Sequence, residues 1–395
     1  MSDTADTQER TPARAAEVRS AAPASAPGGA SGRLLVRVTE RIQETPEAVS
    51  LVLDAELPYR PGQFLTLRIP DGAARCYSLA GSPHAGDPLR ITVKRVPGGR
   101  GSGWLCQDVG VGDELEILPP AGTFTPPDLD RDLLLVAGGS GITPVLSIAG
   151  SALAAGRGHV ALVYANRDPD SVIFRDELWG LAEEHPGRFT LVHWLETLQG
   201  LPTAPRLGPL VAPYASRETY LCGPAPLMDA AEAAVRSAGG RGRAIHRERY
   251  FSLSADVFTQ PTPAATRAPA PTPTATRAPA PTPAPAPAAG SADQAPAPTP
   301  ASAGGATAEV EFDGAVHTVD WPAGTPLLDA LLAAGVPAPY SCREGACSAC
   351  CCRVLEGEVT MVRNEVLDRE DLADGYVLAC QALPLGDRVR LTYEG

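Results

Sequence analysis

Three kinds of hydrophobic patterning succeed one another along the chain. Between Leu34 and Pro119, short β-branched or alternating runs are punctuated by Pro-Gly and Gly-Asp turns, among them Leu34–Val38, Val49–Leu53, Phe64–Ile69, Leu89–Val93 and Leu115–Leu118. Alternation with period two marks strands with one buried face, and six or so of them without a convincing helix predict an antiparallel β-barrel. From Asp132 the pattern changes. Leu133-Leu134-Leu135-Val136-Ala137 is an unbroken apolar run, followed by a glycine loop and an Ala-rich helical stretch, and Val160–Tyr164, Phe189–His193 and Thr219–Cys222 read as further buried strands. Continuous apolar strands alternating with helices predict an α/β domain with a parallel sheet, whose ligands belong at the carboxyl ends of the strands. Alternation returns at Ala308–Phe312, with a hairpin through Asp313-Gly314 and a second strand to Val319. A short helix over Pro326–Leu332, with Thr325 as its N-cap, and a hairpin segment Arg353–Val359 complete a small mixed β-grasp arrangement.

Between the second and third patterns lies a segment that cannot be a fold. Residues 259–306 are rich in Ala and Pro, and Thr266–Pro273 is copied at Thr276–Pro283. Proline removes backbone donors, so such a chain favours extended polyproline-like conformations, and its 48 residues span on the order of 150 Å at about 3.1 Å each. A tether of this kind has no apolar anchors to fix one docking geometry, so the last module is expected to visit the second and swing out again. Residues 1–32, rich in Ala, Ser, Thr, Pro and Gly, read as a disordered tail. The expected division is therefore tail 1–32, barrel 33–127, α/β domain 128–258, linker 259–306 and β-grasp domain 307–395.

Charge and length exclude some classes of partner. The net charge of −13 argues against nucleic acid, and no segment reaches the 18 or so apolar residues needed to cross a bilayer. From Glu309 to Gly395 fifteen Asp and Glu face six Arg and no Lys, a net of −9. This charge can steer the module to a basic patch on a redox partner, and it equally suits solubility. The N-terminus lacks the apolar run of a secretory signal, so a reducing cytoplasm is expected, where clustered thiolates mean metal rather than disulfides.

The cysteines carry the sharpest signal. Cys342, Cys347, Cys350 and Cys380 have the spacing C-x4-C-x2-C-x29-C of a plant-type [2Fe–2S] ferredoxin. Three thiolates from one tight loop and one from a distant segment can enclose two bridged irons. Zinc is the competing metal, but its ribbons usually present two C-x2-C knuckles and here there is one. Cys351 and Cys352 extend the third ligand into a triplet, with an off-register cluster through Cys351 as the lesser alternative. Cys76 and Cys106 read as packing residues.

Three further motifs line up in order. Arg75-Cys76-Tyr77-Ser78 sits on a strand, where an arginine fork suits a phosphate and an aromatic face suits a flat ring. Val93-Lys94-Arg95 is followed by Gly99-Arg100-Gly101-Ser102, a turn and helix start whose N–H groups and hydroxyl can cradle a diphosphate. Gly138-Gly139-Ser140-Gly141-Ile142-Thr143-Pro144 follows a buried strand, with Thr143 as a possible cap and Pro144 able to start a helix whose dipole faces a dinucleotide. Cys222-Gly223-Pro224 and Glu248-Arg249-Tyr250 come later.

Together these residues resemble the ferredoxin–NADP reductase-like flavoproteins over about 33–252, and the cysteine-bearing segment resembles the plant-type ferredoxins over 308–395. The resemblance implies FAD on the barrel, NADH or NADPH on the α/β domain and a [2Fe–2S] cluster held by Cys342, Cys347, Cys350 and Cys380. It further implies that Arg75 neutralises flavin phosphate, that Tyr77 lies against the isoalloxazine, and that Ser78 hydrogen-bonds near its N5. Val93, Lys94, Gly101 and Ser102 belong to the flavin side by the same pattern. Gly138, Gly139, Gly141, Thr143, Pro144, Cys222, Gly223 and Pro224 belong to the nicotinamide side. Ser78, Cys222 and Glu248 are the implied catalytic group, and Tyr250 is an implied cover for the flavin, with simple packing as the alternative. Asn166-Arg167 offers one arginine to a 2′-phosphate while Asp168 and Asp170 would repel it, which leans toward NADH.

The order barrel, nucleotide domain, ferredoxin is similar to the reductase components of bacterial multicomponent oxygenases. Tyr340-Ser341-Cys342-Arg343-Glu344-Gly345 and Cys380-Gln381-Ala382 are especially similar to those serving ketosteroid 9α-hydroxylases and phenylacetyl-CoA oxygenases. The implied function is electron transfer from NAD(P)H through FAD and the cluster to a Rieske or di-iron oxygenase. A cytochrome P450 or a ferredoxin pool as acceptor, or a non-catalytic redox sensor, are the alternatives.

Overall fold

In the barrel each of the alternating runs forms a strand, the first, second and last of them longer than expected, and a further strand carries the Arg75–Ser78 motif. The computed structural model describes residues 33–250, 258, 305–345, 347–367 and 369–394. The expected tail and nearly all of the Ala/Pro linker lie outside the described residues. Strands β1 (Leu34–Thr45), β2 (Ala48–Leu53), β3 (Phe64–Arg68), β4 (Ala74–Ser78), β5 (Arg90–Lys94) and β6 (Glu114–Ala121) make one antiparallel sheet in the order β4-β3-β6-β1-β2-β5. β1 runs well past Val38 because Glu40 to Thr45 continue to pair with β2, with register shifts at Val38/Glu40 and Gln43/Thr45 that bend the strand. A helix the alternation does not predict, α1 (Arg100–Gln107), closes the barrel by burying Leu105. The barrel core is Val36, Leu51, Leu65, Leu67, Leu79, Ile91, Leu105 and Ile117, with Val93 among them.

The α/β domain is a parallel sheet in the order β11-β10-β7-β8-β9, built from β7 (Leu133–Gly138), β8 (Val160–Asn166), β9 (Phe189–Leu195), β10 (Glu218–Cys222) and β11 (Ile245–Glu248). Every residue of β7 and β8 is buried, which explains their unbroken apolar runs. Helices α2 (Ile142–Ala155), α3 (Arg175–Glu184), α4 (Glu196–Gln199), α5 (Ala204–Val211) and α6 (Ala225–Ser237) complete the domain. One face of the sheet packs with α2 and α3 around Leu135, Leu162 and Tyr164, the other with α5 and α6 around Val136, Val163 and Leu221. β11 is polar (Ile245-His246-Arg247-Glu248) and escapes an apolar pattern search. It forms because it pairs in parallel with β10 at the sheet edge.

The last module places β12 (Ala306–Phe312), β13 (Ala315–Trp321), β14 (Cys351–Glu356), β16 (Tyr376–Leu378) and β18 (Arg388–Thr392) in one mixed sheet, order β13-β12-β18-β14-β16. Its sequence also contains β15 (Val359–Met361) paired with β17 (Ala382–Pro384), and helices α7 (Leu327–Ala333) and α8 (Arg369–Ala373). The Asp313-Gly314 hairpin is as expected, both residues having left-handed φ of 53° and 71°. Thr325 is not the cap of α7. Pro326 holds that position without a side-chain cap, and the Thr325 carbonyl instead accepts the Trp321 indole N–H at 2.8 Å. The described residues from Arg33 onward cluster as one compact unit, and this module is in contact with the barrel rather than free of it. What fixes the contact is the cysteine loop itself, whose Cys342, Cys347 and Ala349 share a buried cluster with Phe64, Ala74, Leu118 and Ala121.

Candidate functional site

β4 distributes the first motif over its two faces. Successive strand residues point in opposite directions, so Arg75 and Tyr77 share one face and Ala74, Cys76 and Ser78 the other. Arg75 and Tyr77 reach the start of α1. A Cβ added to Gly101 would stand 2.9 Å from Arg75 Cγ and 3.3 Å from the Tyr77 hydroxyl, so this space stays open only because position 101 is glycine. The arginine fork, the phenol and the N-terminal N–H groups of α1 thus surround one small cradle, and that donor set fits a diphosphate. Burial raises the Tyr77 phenol far above its ordinary range, which keeps it protonated. Ser102 does not face outward. Its hydroxyl accepts the Val96 N–H at 3.1 Å and closes the Gly99 turn. Val93 has its side chain in the barrel core, which leaves its backbone for any ligand.

The glycine loop follows β7 through a short 3-10 turn (Gly139–Gly141) into α2. Gly141, not Thr143, is the N-cap of α2, and no side chain caps it. The Thr143 hydroxyl donates instead to the Ser140 carbonyl at 3.0 Å. Pro144 is the third helical residue. The loop packs backbone against backbone on the end of β10: a Cβ on Gly141 would lie 2.1 Å from the Cys222 carbonyl oxygen. Gly141, expected to admit a dinucleotide, therefore first admits a neighbouring strand, while Gly138 makes room for Leu227 and Pro224. Lys94, the chain's single lysine and expected on the flavin side, instead points its ammonium at this loop, 3.7 Å from where a Cβ of Gly139 would stand.

Strand register then gathers the remaining residues. Cys222 pairs with Ala137 on one side and Glu248 on the other. Gly223 and Pro224 turn the chain from β10 into α6. The Tyr250 hydroxyl donates to the Ser140 carbonyl at 3.1 Å, lies 2.9 Å from Thr143 Oγ1, and neighbours both the Cys222 thiol and Ser78. The residue as a whole is 44% exposed while its hydroxyl is engaged. Burial pushes the Cys222 thiol far up, with Glu248 adding to it, and burial raises the Glu248 carboxyl to about 8. Ser78, Glu248 and Tyr250 line one small cavity together with Phe64, Cys76 and Cys347. Ser78 of the barrel and Glu248 and Tyr250 of the α/β domain thus meet at one point, and a cysteine of the third module meets them there, whereas Arg75 and Tyr77 face the α1 cradle on the other side of β4.

The cysteine loop is held by its own backbone. Arg343 and Ser348 adopt left-handed φ of 57° and 52°, which coils the loop tightly. The Glu344 N–H donates to Cys342 Sγ at 3.3 Å, Cys342 N–H to Cys347 Sγ at 3.3 Å, and Cys380 N–H to Cys350 Sγ at 3.4 Å. Gln381 Nε2 donates to Cys380 Sγ at 3.5 Å. Cys380 adjoins Cys342 and Cys350, and Cys342 adjoins Cys347, so the four buried thiols converge and fit a cluster with negative charge on sulfur. Among the described residues no group of three or more His, Cys, Asp and Glu has the arrangement of a bare-ion site. Cys351 is half-buried at the start of β14 and Cys352 is buried behind it.

Known protein families match three stretches of the chain in succession. The family described as oxidoreductase FAD-binding domain matches residues 35–125, oxidoreductase NAD-binding domain residues 135–233, and 2Fe-2S iron-sulfur cluster binding domain residues 310–385. The ferredoxin reductase component of 3-ketosteroid-9-alpha-monooxygenase from Rhodococcus rhodochrous is 46% identical over 92% of this chain and 97% of that protein. The chain belongs to the reductase components of multicomponent oxygenases. Within this family, a component of the 1,2-phenylacetyl-CoA epoxidase of Escherichia coli (strain K12) is 32% identical over 89% of this chain and 95% of its own length. The fold is that of phthalate dioxygenase reductase, with a TM-score of 0.52 at 24% identity over 91% of this chain and 98% of that one. Like other members, this reductase carries FAD-binding, NAD-binding and [2Fe–2S] domains and transfers electrons from NAD(P)H toward a terminal oxygenase. No helix among the described residues is long and apolar enough to cross a membrane.

Proposed function

We propose that this reductase draws its electrons from NADH and delivers them to the oxygenase component of a 3-ketosteroid 9α-monooxygenase in the cytoplasm. The observation that carries the reading is the 46% identity to the Rhodococcus rhodochrous component over nearly the whole of both chains. FAD, when bound, would supply the conversion from a two-electron hydride donor to the single electrons that a [2Fe–2S] cluster can take up.

The chain's own residues supply binding and orientation. Arg75 and the α1 N-terminus at Gly101 hold the flavin's diphosphate, and Tyr77 lies alongside. Lys94 and the loop Gly138–Pro144 receive the dinucleotide, with Cys222, Gly223 and Pro224 behind the nicotinamide. Ser78, Cys222 and Glu248 flank the reacting atoms, and Tyr250 covers them. Because its carboxyl is raised to about 8, Glu248 holds its proton at neutral pH and can donate a hydrogen bond there. Cys342, Cys347, Cys350 and Cys380 ligate the irons.

Coenzyme choice follows from charge. Arg167 is engaged by Asp168 at 3.2 Å and by Glu47 at 3.3 Å, and Glu47 lies 3.8 Å from Lys94. A 2′-phosphate would compete with both carboxylates for these cations, which favours NADH over NADPH.

The test is reconstitution. Purified reductase, a 3-ketosteroid 9α-monooxygenase oxygenase component, a 3-ketosteroid and NADH should give hydroxylated steroid, at a rate that drops at least tenfold with NADPH. No product above the reductase-free control, with the phenylacetyl-CoA epoxidase oxygenase supported instead, would overturn the choice of acceptor.

A further inference from the structure

The face of β4 that carries neither Arg75 nor Tyr77 meets the cysteine loop through groups the cofactor roles leave unused. Thr66 of β3 pairs across the sheet with Cys76 of β4. Thr66 Oγ1 lies 2.5 Å from Ser341 Oγ, while Cys76 Sγ is 3.6 Å from Thr66 Oγ1 and 3.5 Å from Ser341 Oγ. The three groups close a triangle across the boundary between barrel and ferredoxin. Thr66 and Ser341 are each 1% exposed, so no solvent takes their place. Phe64, Ala74, Leu118, Ala121 and Ala349 surround the triangle with apolar surface, and Thr123 Oγ1 donates to Ser348 Oγ at 3.0 Å beside it.

Two properties make this more than packing. First, buried hydroxyls in apolar surroundings are strongly disfavoured unless paired, so a docked arrangement that slips out of this register leaves them unsatisfied. An apolar patch alone tolerates sliding, whereas a hydrogen-bonded triangle selects one position. Second, Ser341 immediately precedes Cys342, and Cys76 sits between Arg75 and Tyr77 on the strand that frames the flavin cradle. The triangle therefore lies one residue from a cluster ligand on one side and one residue from Arg75 and Tyr77 on the other.

We infer that Thr66, Cys76 and Ser341 form a polar latch that registers the cluster loop on the flavin strand and thereby sets the rate of flavin-to-cluster electron transfer. This rests on the reading given under Proposed function. Each hydride brings two electrons and the cluster takes one at a time, so the latched boundary is crossed twice for every NADH, without bond-making at the latch. The three are positioning residues, and their loss acts on this step alone.

The experiment uses the full chain with both cofactors. Anaerobic stopped-flow mixing with NADH follows flavin bleaching and cluster reduction separately in wild type, Thr66→Val, Thr66→Ser and Ser341→Ala. The latch predicts flavin reduction within twofold of wild type in all four. Cluster reduction should slow at least tenfold in Thr66→Val and Ser341→Ala, and recover to within twofold in Thr66→Ser. Because the two hydroxyls act as one device, Thr66→Val with Ser341→Ala should be no slower than the slower single variant. Cluster reduction within twofold of wild type in Thr66→Val, with both cofactors fully loaded, overturns the latch. Multiplying effects in the double variant also overturn it. If Thr66→Val loses flavin, Ser341→Ala on the other module reads the same step. A wild type whose cluster is never reduced refutes the underlying reading instead, so the two failures are distinct.

Discussion

The reductase domains and the ferredoxin domain build their sites in opposite ways. In the former, the gathered residues come from segments far apart in sequence, Arg75–Ser78, Lys94, Gly138–Pro144, Cys222–Pro224 and Glu248–Tyr250, and strand register brings them together. In the latter, three of four thiols lie within nine residues, on a loop coiled by left-handed Arg343 and Ser348 and braced by its own N–H groups. A site spread over many segments should lose function by degrees when one residue changes. A site concentrated in one loop should fail at once.

The largest effect is expected on the concentrated side. Cys347→Ser should abolish the cluster while FAD remains bound and reducible by NADH, as read by visible absorption before and after NADH under anaerobic conditions. Loss of the flavin as well would mean that the two sites are not separately built. Next comes Gly141→Ala, the point where the spread site depends on backbone contact. Its Cβ would stand 2.1 Å from the Cys222 carbonyl oxygen, and forced displacement of this kind costs about 1–3 kcal/mol or more. Urea unfolding should move to lower denaturant and NADH reduction of the flavin should slow; wild-type behaviour in both would show that the loop can yield.

Arg75→Ala should weaken FAD retention by a graded amount. A charge-assisted pair to phosphate contributes about 1.5–3 kcal/mol, or roughly 10- to 150-fold in Kd. Fluorimetric FAD titration checks this, and undiminished affinity would remove Arg75 from the cradle. The last effect, read as a change of slope with pH rather than as a loss of binding, concerns Glu248. Burial raises its carboxyl from 4.5 to about 8, so between those values the unfolded chain is ionised and the folded chain protonated. This group therefore lowers stability progressively as pH rises through that window, with no penalty below it and no further change above it. Glu248→Gln should flatten the pH dependence of Tm between pH 5 and 8, and an unchanged slope would place the carboxylate in contact with water.

Much of this was legible in residues whose chemistry is local. The four cysteines, the glycine loop after an apolar strand and the Arg-x-Tyr-Ser strand carry their meaning in their spacing, and the buried runs of β7 and β8 declare a parallel sheet. What escaped was set by tertiary contact. β11 is polar and exists because β10 offers an edge, so its Glu248 is reached through a motif rather than a strand pattern. Cys76 reads as a packing residue, and strand parity alone places it opposite Arg75. Nothing in its neighbours says that the opposite side is covered by another module. The Ala/Pro linker suggests a freely swinging ferredoxin because it has no anchors. The anchors are in the cysteine loop, 35 or more residues beyond the linker's end, where composition does not advertise a contact.

The central claim is that the cluster loop is seated on the flavin strand by its own contacts and not delivered there by the tether. Tripling the length of the Ala/Pro linker tests this most directly, with the rate of cluster reduction after anaerobic mixing with NADH as the measurement. A tethered encounter would slow about fivefold, since effective concentration falls roughly as the −3/2 power of linker length. The seated arrangement predicts a rate unchanged within experimental scatter, and a fall of fourfold or more would contradict it.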